Sequence, residues 1–184
     1  MKPIRTINQL LILILFIMVP AISPVCAQST SLNEYQIKAA MIFNMAKFTD
    51  WPSESIPATS EHFSICIYGR GPLRDAVEEL QVKPIRGKIL SVRRVGHPMD
   101  VTNCQILLNE SERRHTVSLI EKTKTYPVLT VSDAPGFAKI GGIVGFVMRE
   151  GKVRFEINPA AAQRHRIRIS SRLLQLSLIV HEEL

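Results

Sequence analysis

Residues 137–159 read FAKIGGIVGFVMREGKVRFEINP, and this stretch determines how we interpret the rest of the chain. Residues 143–148 are apolar apart from one glycine, and the run is too short for a typical helix. From Val153 to Ile157 apolar and polar residues alternate, which is the period of a half-buried strand. Gly151, between the two segments, can take positive φ without steric cost. The stretch therefore predicts an antiparallel β-hairpin with a buried first strand and a second strand that shows one face to solvent.

On the N-terminal side of the hairpin, short apolar segments alternate with helical ones. Ser31 and Glu34 form a capping box that predicts the start of a first helix. The spacing of Ile37, Met41, Met45 and Phe48 predicts the face that this helix buries. Strands are predicted at 63–68, 89–95, 104–108 and 128–132, and helices at 73–80, 111–122, 135–140, 158–164 and 170–180. Strands separated by helical crossovers predict an α/β fold. We expect a mainly parallel sheet of about five to six strands, with helices on both faces and the C-terminal antiparallel hairpin at one edge.

The first residues of the chain have the layout of a secretory signal peptide. A basic start is followed by an apolar run at 10–19 and a small-residue cleavage site that ends at Ala27. The run is shorter than the roughly 20 residues that cross a bilayer. A lipoprotein signal at Cys26 is the weaker alternative, because valine precedes this cysteine where a small residue is required. We predict a cleaved signal peptide at 1–27, with its retention as a membrane anchor as the alternative, and a single exported domain at 28–184.

Charge and cysteine content agree with export. The chain carries 23 Lys and Arg against 16 Asp and Glu, a net charge of +7, and residues 28–184 keep +5 because 1–27 hold two basic and no acidic residues. For an exported protein this charge argues against nucleic acid as a partner and for acidic protein surfaces, anionic small molecules or lipid headgroups. Cys66 and Cys104 form an even pair in an oxidising compartment, which favours a disulfide over the alternative of two buried thiols.

No motif in the sequence predicts catalysis or a bound metal. Gly69-Arg70-Gly71 follows a strand as a dinucleotide-binding turn does, but the third glycine position is Arg74, so an ordinary strand-to-helix turn is the better interpretation. The five histidines lack metal-ligand spacing, and no serine lies in a nucleophile motif. The sequence predicts a protein that is not an enzyme and that needs no cofactor or metal.

One basic cluster near the C-terminus is a candidate binding site. If residues 166–169 are extended, Arg166 and Arg168 share one face, and the start of the helix that follows adds free backbone N–H groups. Such a cluster would bind a carboxylate, a phosphate or an acidic partner surface, and an ordinary solvated basic face is the alternative. Glu156 on the hairpin is a possible neighbour of this cluster. The cluster consists of Arg164, His165, Arg166, Arg168 and Arg172.

Several segments resemble the YfiR family of periplasmic proteins. They are EYQIKAAMIFNMAKFTDWP at 34–52, FSICIYGRGP at 63–72, CQILLNESE at 104–112, and LTVSDAPGFAKIGGIVGFVMREGKVRFEINPAAAQRHRIRISSRLL at 129–174. Together these segments cover most of the chain after residue 27. The resemblance implies a mixed α/β domain that tends to dimerise and that acts as an inhibitor rather than an enzyme.

The family's role implies more specific expectations. A periplasmic regulatory protein of this kind binds the periplasmic domain of an inner-membrane diguanylate cyclase and inhibits it, which lowers cyclic di-GMP and biofilm formation. An outer-membrane lipoprotein is the implied antagonist. Cys66 and Cys104 match one disulfide pair of the family, whereas the second pair has no counterpart between residues 128 and 157. A periplasmic sensor or binding protein for a nucleotide or an amino acid is the alternative function. The implied partner or ligand surface maps to Glu156, Arg164, Arg168 and Arg172.

Overall fold

The computed structural model describes residues 28–183, with side chains at 34–97 and 100–183. Contacts divide the chain into two units, Met1–Ser31 and Leu32–Leu184, and all ten described strands belong to the second. The signal peptide predicted at 1–27 lies outside the described residues and stays a prediction.

The described part of the chain contains five α-helices, three 3-10 helices and ten strands. The helices are α1 Gln28–Met45, α2 Pro72–Glu78, α3 Arg113–Thr123, α4 Pro159–Arg164 and α5 Ser171–Gln175. The strands are β1 Thr49–Asp50, β2 His62–Gly69, β3 Pro84–Ile85, β4 Lys88–Val95, β5 Ile106–Glu110, β6 Leu129–Ser132, β7 Val144–Arg149, β8 Lys152–Ile157, β9 Arg168–Ile169 and β10 Leu178–Ile179. The 3-10 helices are Ser53–Ser55, Pro98–Val101 and Phe137–Ile140.

Eight strands form one mixed sheet in the order β10-β8-β7-β6-β5-β2-β4-β3. The α/β class is as predicted, but a mainly parallel sheet of five to six strands is wrong, because β3–β4 and β7–β8 pair antiparallel and the sheet has eight strands. The hairpin is not at the edge either, since β10 lies parallel to β8 outside it. Both missed edge strands have two residues, which is too short for any period to be read. β1 and β9 form a separate antiparallel ribbon.

Two apolar cores flank the sheet, because successive residues of a strand point to opposite faces. On β2, Phe63, Ile65 and Ile67 enter a larger core with residues of α1, α2, α4 and α5. Cys66, between them, enters a smaller core with Leu119 of α3. Helices therefore cover both faces of the sheet.

The hairpin of β7 and β8 has the predicted antiparallel pairing. Arg149 faces Lys152 at its end, and the two residues between them, Glu150 and Gly151, have φ of +51° and +69°. Positive φ at both central residues is the pattern of the two-residue turns that match strand twist. This pairing fixes the register that places Glu156 opposite Gly145.

Helix α1 differs from its prediction at both the start and the buried face. It begins at Gln28, before the predicted cap at Ser31. Ala39, Ile42 and Met45 are buried, whereas Ile37, expected in the core, is 40% exposed. The prediction considered only large apolar residues. Because Ala39 belongs to the buried face, that face is centred away from Ile37.

The disulfide between Cys66 and Cys104 is present, with Cα atoms 5.8 Å apart. It joins β2 to the segment that enters the neighbouring strand β5, and both cysteines are buried. A backbone hydrogen bond of 3.0 Å from the Gln105 N–H to the Ser64 carbonyl ties the same two segments. Of the two alternatives for these cysteines, the structure contains the disulfide.

Candidate functional site

Glu156 lies on β8 and is only 5% exposed. Its backbone neighbours are Gly145 on β7 and Leu178 on β10. Among the described residues, no hydrogen-bond donor reaches its carboxylate. The Lys139 pKa is raised chiefly by its hydrogen bond to Glu183, with a smaller contribution from the charge of Glu156. Ser55 Oγ is the one fully buried side-chain polar atom without a partner in the described part of the chain, so the Glu156 carboxylate oxygens keep contact with solvent.

Arg164 is the last residue of α4 and lies beside residues 178–183, which we call the C-terminal segment. Its guanidinium pairs with Glu182 at 2.9 Å, and the Lys139 ammonium pairs with Glu183 at 2.6 Å. A backbone hydrogen bond of 2.9 Å from the Glu183 N–H to the Lys139 carbonyl holds the segment in place. Arg164 therefore faces a carboxylate of this chain, and together with Lys139 it anchors the C-terminal segment.

Arg168 and Arg172 form a second group at the β1–β9 ribbon. The backbone of Arg168 lies opposite that of Asp50 in the register of the ribbon. The Arg172 guanidinium lies 5.6 Å from the centre of the Phe48 ring. Ser170 fixes this arrangement, because its hydroxyl caps α5 and its backbone N–H donates to the Phe48 carbonyl at 2.9 Å. Both arginines are exposed, and within the described part of the chain neither pairs with a carboxylate.

Two further residues extend this group. Arg86 lies 3.6 Å from Asp50 and donates to the Thr49 carbonyl at 2.8 Å. Leu176 follows Arg172 by four residues at the end of α5, which places both on one side, and it is 68% exposed. We call Arg86, Arg168, Arg172 and Leu176 the basic surface. Sequence reasoning missed Arg86, because it comes from the turn between β3 and β4 and carries no local signal of its proximity.

The remaining members of the predicted basic cluster point elsewhere. Arg166 has a φ of +56° and pairs with Glu54 at 3.3 Å. His165 is 1% exposed, with its Nδ1 2.9 Å from the Tyr126 carbonyl. Burial lowers the His165 pKa to about 4, against the opposing effect of that hydrogen bond. The segment is therefore not one extended basic face.

The four predicted site residues thus fall into two groups. Glu156 and Arg164 lie with the C-terminal segment, and Arg168 and Arg172 lie on the basic surface. The described contacts show no hydrogen bond or ion pair that joins one group to the other. Their role in binding a partner stays a prediction.

The turn after β2 has the geometry of an ordinary strand-to-helix turn, with an internal carboxylate at the helix start. Glu110 accepts hydrogen bonds from the N–H groups of Leu73 at 2.9 Å and Arg74 at 3.1 Å. A Cβ on Gly71 would lie 2.5 Å from the Glu110 Oε1, and one on Gly69 would lie 2.4 Å from the Glu110 backbone. Burial raises the Glu110 pKa in spite of the two backbone donors. The glycines are explained by this close approach.

Two absences hold for the part of the chain that the structure describes. Its His, Cys, Asp and Glu side chains form no group able to hold a metal ion. None of its helices combines the length and the apolar character needed to pass through a bilayer.

These features define a disulfide-bonded α/β domain with an exposed basic surface. The YfiR/HmsC-like family matches residues 35–178, and the chain belongs to this family. The family is regulatory, non-catalytic and periplasmic, and membership supports a periplasmic regulator of cyclic di-GMP signalling in general.

No curated protein matches the chain. Solved structures resemble it, among them two with a TM-score of 0.47. One is the ABC domain in complex with L-Trp from Streptococcus pneumoniae, 9% identical over 80% of this chain and 60% of the other. The second is a conserved domain protein from Vibrio cholerae O1 biovar El Tor strain N16961, 12% identical over 79% of this chain and 59% of the other. The chain thus spans about 60% of the length of these proteins.

Proposed function

We propose that this protein is a periplasmic repressor that binds the periplasmic domain of an inner-membrane diguanylate cyclase and inhibits the enzyme. Inhibition lowers cyclic di-GMP and biofilm formation. The observation that carries the proposal is the family match over residues 35–178, which includes β1 to the start of β10. Homodimerisation and an outer-membrane lipoprotein that sequesters the repressor belong to the same proposal.

The basic surface is the docking site in this proposal. Arg168 and Arg172 are exposed, and the Asp50 carboxylate, whose residue lies opposite Arg168 in the ribbon, is 3.6 Å from Arg86. The exposed Leu176 supplies an apolar contact next to these charges. Arginine is one of the residue types that carry much of the binding energy in protein interfaces. The surface therefore suits an acidic partner with an apolar pocket.

Glu156 and Arg164 have an indirect role in the proposal. Glu156 is buried, and Arg164 is occupied by Glu182. Both lie against the C-terminal segment, so they affect the partner through the position of that segment.

Inhibition requires that the repressor bind the inactive conformation of the cyclase more tightly than the active one, because a partner shifts an equilibrium only by differential affinity. The excess of basic residues speeds the encounter with an acidic surface. Salt screens this attraction, so inhibition is expected to weaken as ionic strength rises.

The test uses purified protein without residues 1–27, titrated into membranes that contain the host's diguanylate cyclase, with cyclic di-GMP synthesis as the readout. We expect a dose-dependent fall. Arg168→Glu is expected to raise the half-inhibitory concentration by about tenfold or more. Arg149→Glu, at an exposed position on the hairpin, has the same change in charge and should inhibit as the wild type does at a salt concentration that screens long-range attraction.

Failure of the wild-type protein to inhibit, while folded, would overturn the proposed function. Full inhibition by a folded Arg168→Glu variant would instead move the docking site away from the basic surface.

The alternative of a small-molecule sensor also stays open. Its predicted ligand site at the arginine cluster is less favoured, because Arg164 and Arg166 have carboxylate partners within the chain. Calorimetry with a panel of nucleotides and amino acids tests this alternative. A compound that binds the protein but leaves cyclase activity unchanged would favour the sensor.

A further inference from the structure

A cleft of about 630 Å³ opens at the carboxyl ends of the central strands, away from both groups of predicted site residues. Its walls are the ends of β2 and β4 and the turn after β5. The volume lies within the range of small-molecule sites, roughly 300–1,000 Å³. The lining residues used below are Tyr68, Arg70, Arg74, Arg94, Glu110, Glu112 and His115.

The cleft lies where the order of the strands reverses. From β2 the chain passes outward to β4, and it then crosses back to β5 on the other side of β2. The connections that leave the adjacent strands β2 and β5 therefore run to opposite faces of the sheet. The helix after β2, α2, packs in the larger core, and the helix after β5, α3, packs in the smaller one. In open α/β sheets, ligands bind in the crevice that forms at this switch point.

Three arginines converge on the cleft. Arg70 is exposed, and its side chain has no ion pair or hydrogen bond among the described residues. Arg94 donates to Glu78 from Nε at 3.0 Å and from Nη2 at 3.3 Å. Arg74 approaches the same carboxylate at 4.0 Å. A second groove of about 670 Å³ is lined by the same three arginines and by Asp75, which pairs with Arg74 at 2.7 Å.

The acidic residues at the cleft are already engaged. The Glu110 carboxylate accepts the backbone N–H groups of Leu73 and Arg74. Glu112 pairs with Arg114 at 2.9 Å. Because Glu110 occupies the start of α2, recognition of an anion in the cleft depends on the guanidinium groups and not on that helix.

We propose that this cleft binds a small organic oxyanion of about nucleotide size, held chiefly by Arg70 and supported by Arg94 through Nη1, the guanidinium nitrogen that its hydrogen bonds to Glu78 do not use. Guanidinium groups bind carboxylates and phosphates through paired hydrogen bonds, and Arg70 is free to do so. Tyr68 and His115 provide the flanking side chains for the rest of the ligand. The site does not depend on the proposed repressor function, because it shares no residue with the basic surface.

Isothermal calorimetry with the purified protein tests this site with four probes: adenosine 5′-monophosphate, adenosine, citrate and inorganic phosphate. We expect binding of the nucleotide or of citrate, and none of the uncharged nucleoside. Inorganic phosphate should bind more weakly because it leaves most of the cleft empty. Arg70→Ala and Arg94→Ala should each weaken binding by about tenfold or more, the loss of a charged hydrogen-bonding partner. Arg149→Ala, exposed and outside the cleft, is the control and should bind normally.

Preference for the nucleotide over citrate would identify a phosphate ligand, and the opposite preference a carboxylate ligand; both support the site. No binding of any anion at millimolar concentration would overturn the proposal. Binding that survives both Arg70→Ala and Arg94→Ala would also overturn it, since the ligand would then lie elsewhere. Arg70 and Arg94 are exposed, and circular dichroism of each variant checks that the fold is intact.

Discussion

At the scale of single residues, Glu110 acts as the cap of a helix that lacks one in its own segment. The residue before α2 is Gly71, which has no side chain to accept a hydrogen bond, and Glu110 supplies the acceptor from β5. We expect Glu110→Ala to lower the free energy of unfolding by about 1–2 kcal/mol, the usual cost of a lost cap. Urea denaturation measures the change. Glu112→Ala removes an exposed carboxylate two residues away and should change stability by less than about 0.5 kcal/mol; equal losses in both variants would contradict the capping role.

His165 is expected to make stability depend on pH. Its pKa is about 4 in the folded protein against 6.5 as the ordinary value. Between these values the unfolded chain binds a proton that the folded chain does not, so stability falls as pH drops from 6.5 towards 4. The loss is roughly 2–3 kcal/mol. Thermal unfolding across this range should show a shallower pH dependence for His165→Gln than for the wild type. His115→Gln, at an exposed site, should keep the full dependence; identical slopes in all three proteins would rule out His165 as the cause.

At the scale of elements, sequence patterns predicted the strands that are long enough to show a period. β2, β4 and β8 were found at nearly their observed bounds, because each has six or more residues. β3 and β10 were not found, because two residues show no alternation and their pairing is set by neighbours distant in the chain. The last predicted helix, at 170–180, proved to be the short α5 followed by β10 for the same reason.

The candidate site was less predictable than the fold. The local sequence predicted arginines on one face, but the positive φ of Arg166 turns the chain between Arg164 and Arg168. The partners Glu182 and Glu54 come from segments that no local pattern connects to these arginines. Arg86 joins the basic surface from a distant turn. The long-range contacts that decide which charges remain free therefore appear only in the folded structure.

The turn from β2 to α2 depends on the absence of a side chain at Gly69. This residue has a φ of +99°, and a Cβ would lie 2.4 Å from the Glu110 backbone. Gly69→Ala therefore combines backbone strain with a clash that only a shift of β5 can relieve, and we expect a loss of more than about 2 kcal/mol in the free energy of unfolding. Gly87 is the matched control, since its φ is +73° but no atom lies within 4 Å of its Cβ position. Gly87→Ala should cost only the strain, about 1 kcal/mol; an equal cost at both positions would exclude the clash.

At the scale of the whole molecule, the disulfide restricts the unfolded chain more than it shapes the native one. The two cysteines are 38 residues apart, and the chain-entropy relation gives about 4 kcal/mol for a loop of this length. Backbone pairing of β2 with β5 holds the native strands in place without the bond. The double variant Cys66→Ala, Cys104→Ala should keep its fold, lose up to about 4 kcal/mol, and show a larger urea m-value because its unfolded state is more expanded. An unchanged midpoint would show that the bond does not contribute to stability.

The net charge and the arrangement of charges make separable contributions to the proposed repression. Residues 28–184 carry a net charge of +5, so any charge reversal slows the encounter with an acidic partner, whatever its position. Arg168→Glu with Arg172→Glu and Arg149→Glu with Arg154→Glu change the net charge equally, and all four arginines are exposed. If the basic surface docks the cyclase, the first pair should abolish inhibition of cyclic di-GMP synthesis at every salt concentration. The second pair should weaken it modestly, and only at low salt, where long-range attraction is unscreened. If the two double variants lose inhibition equally at every salt concentration, net charge alone is responsible and the basic surface is not the docking site.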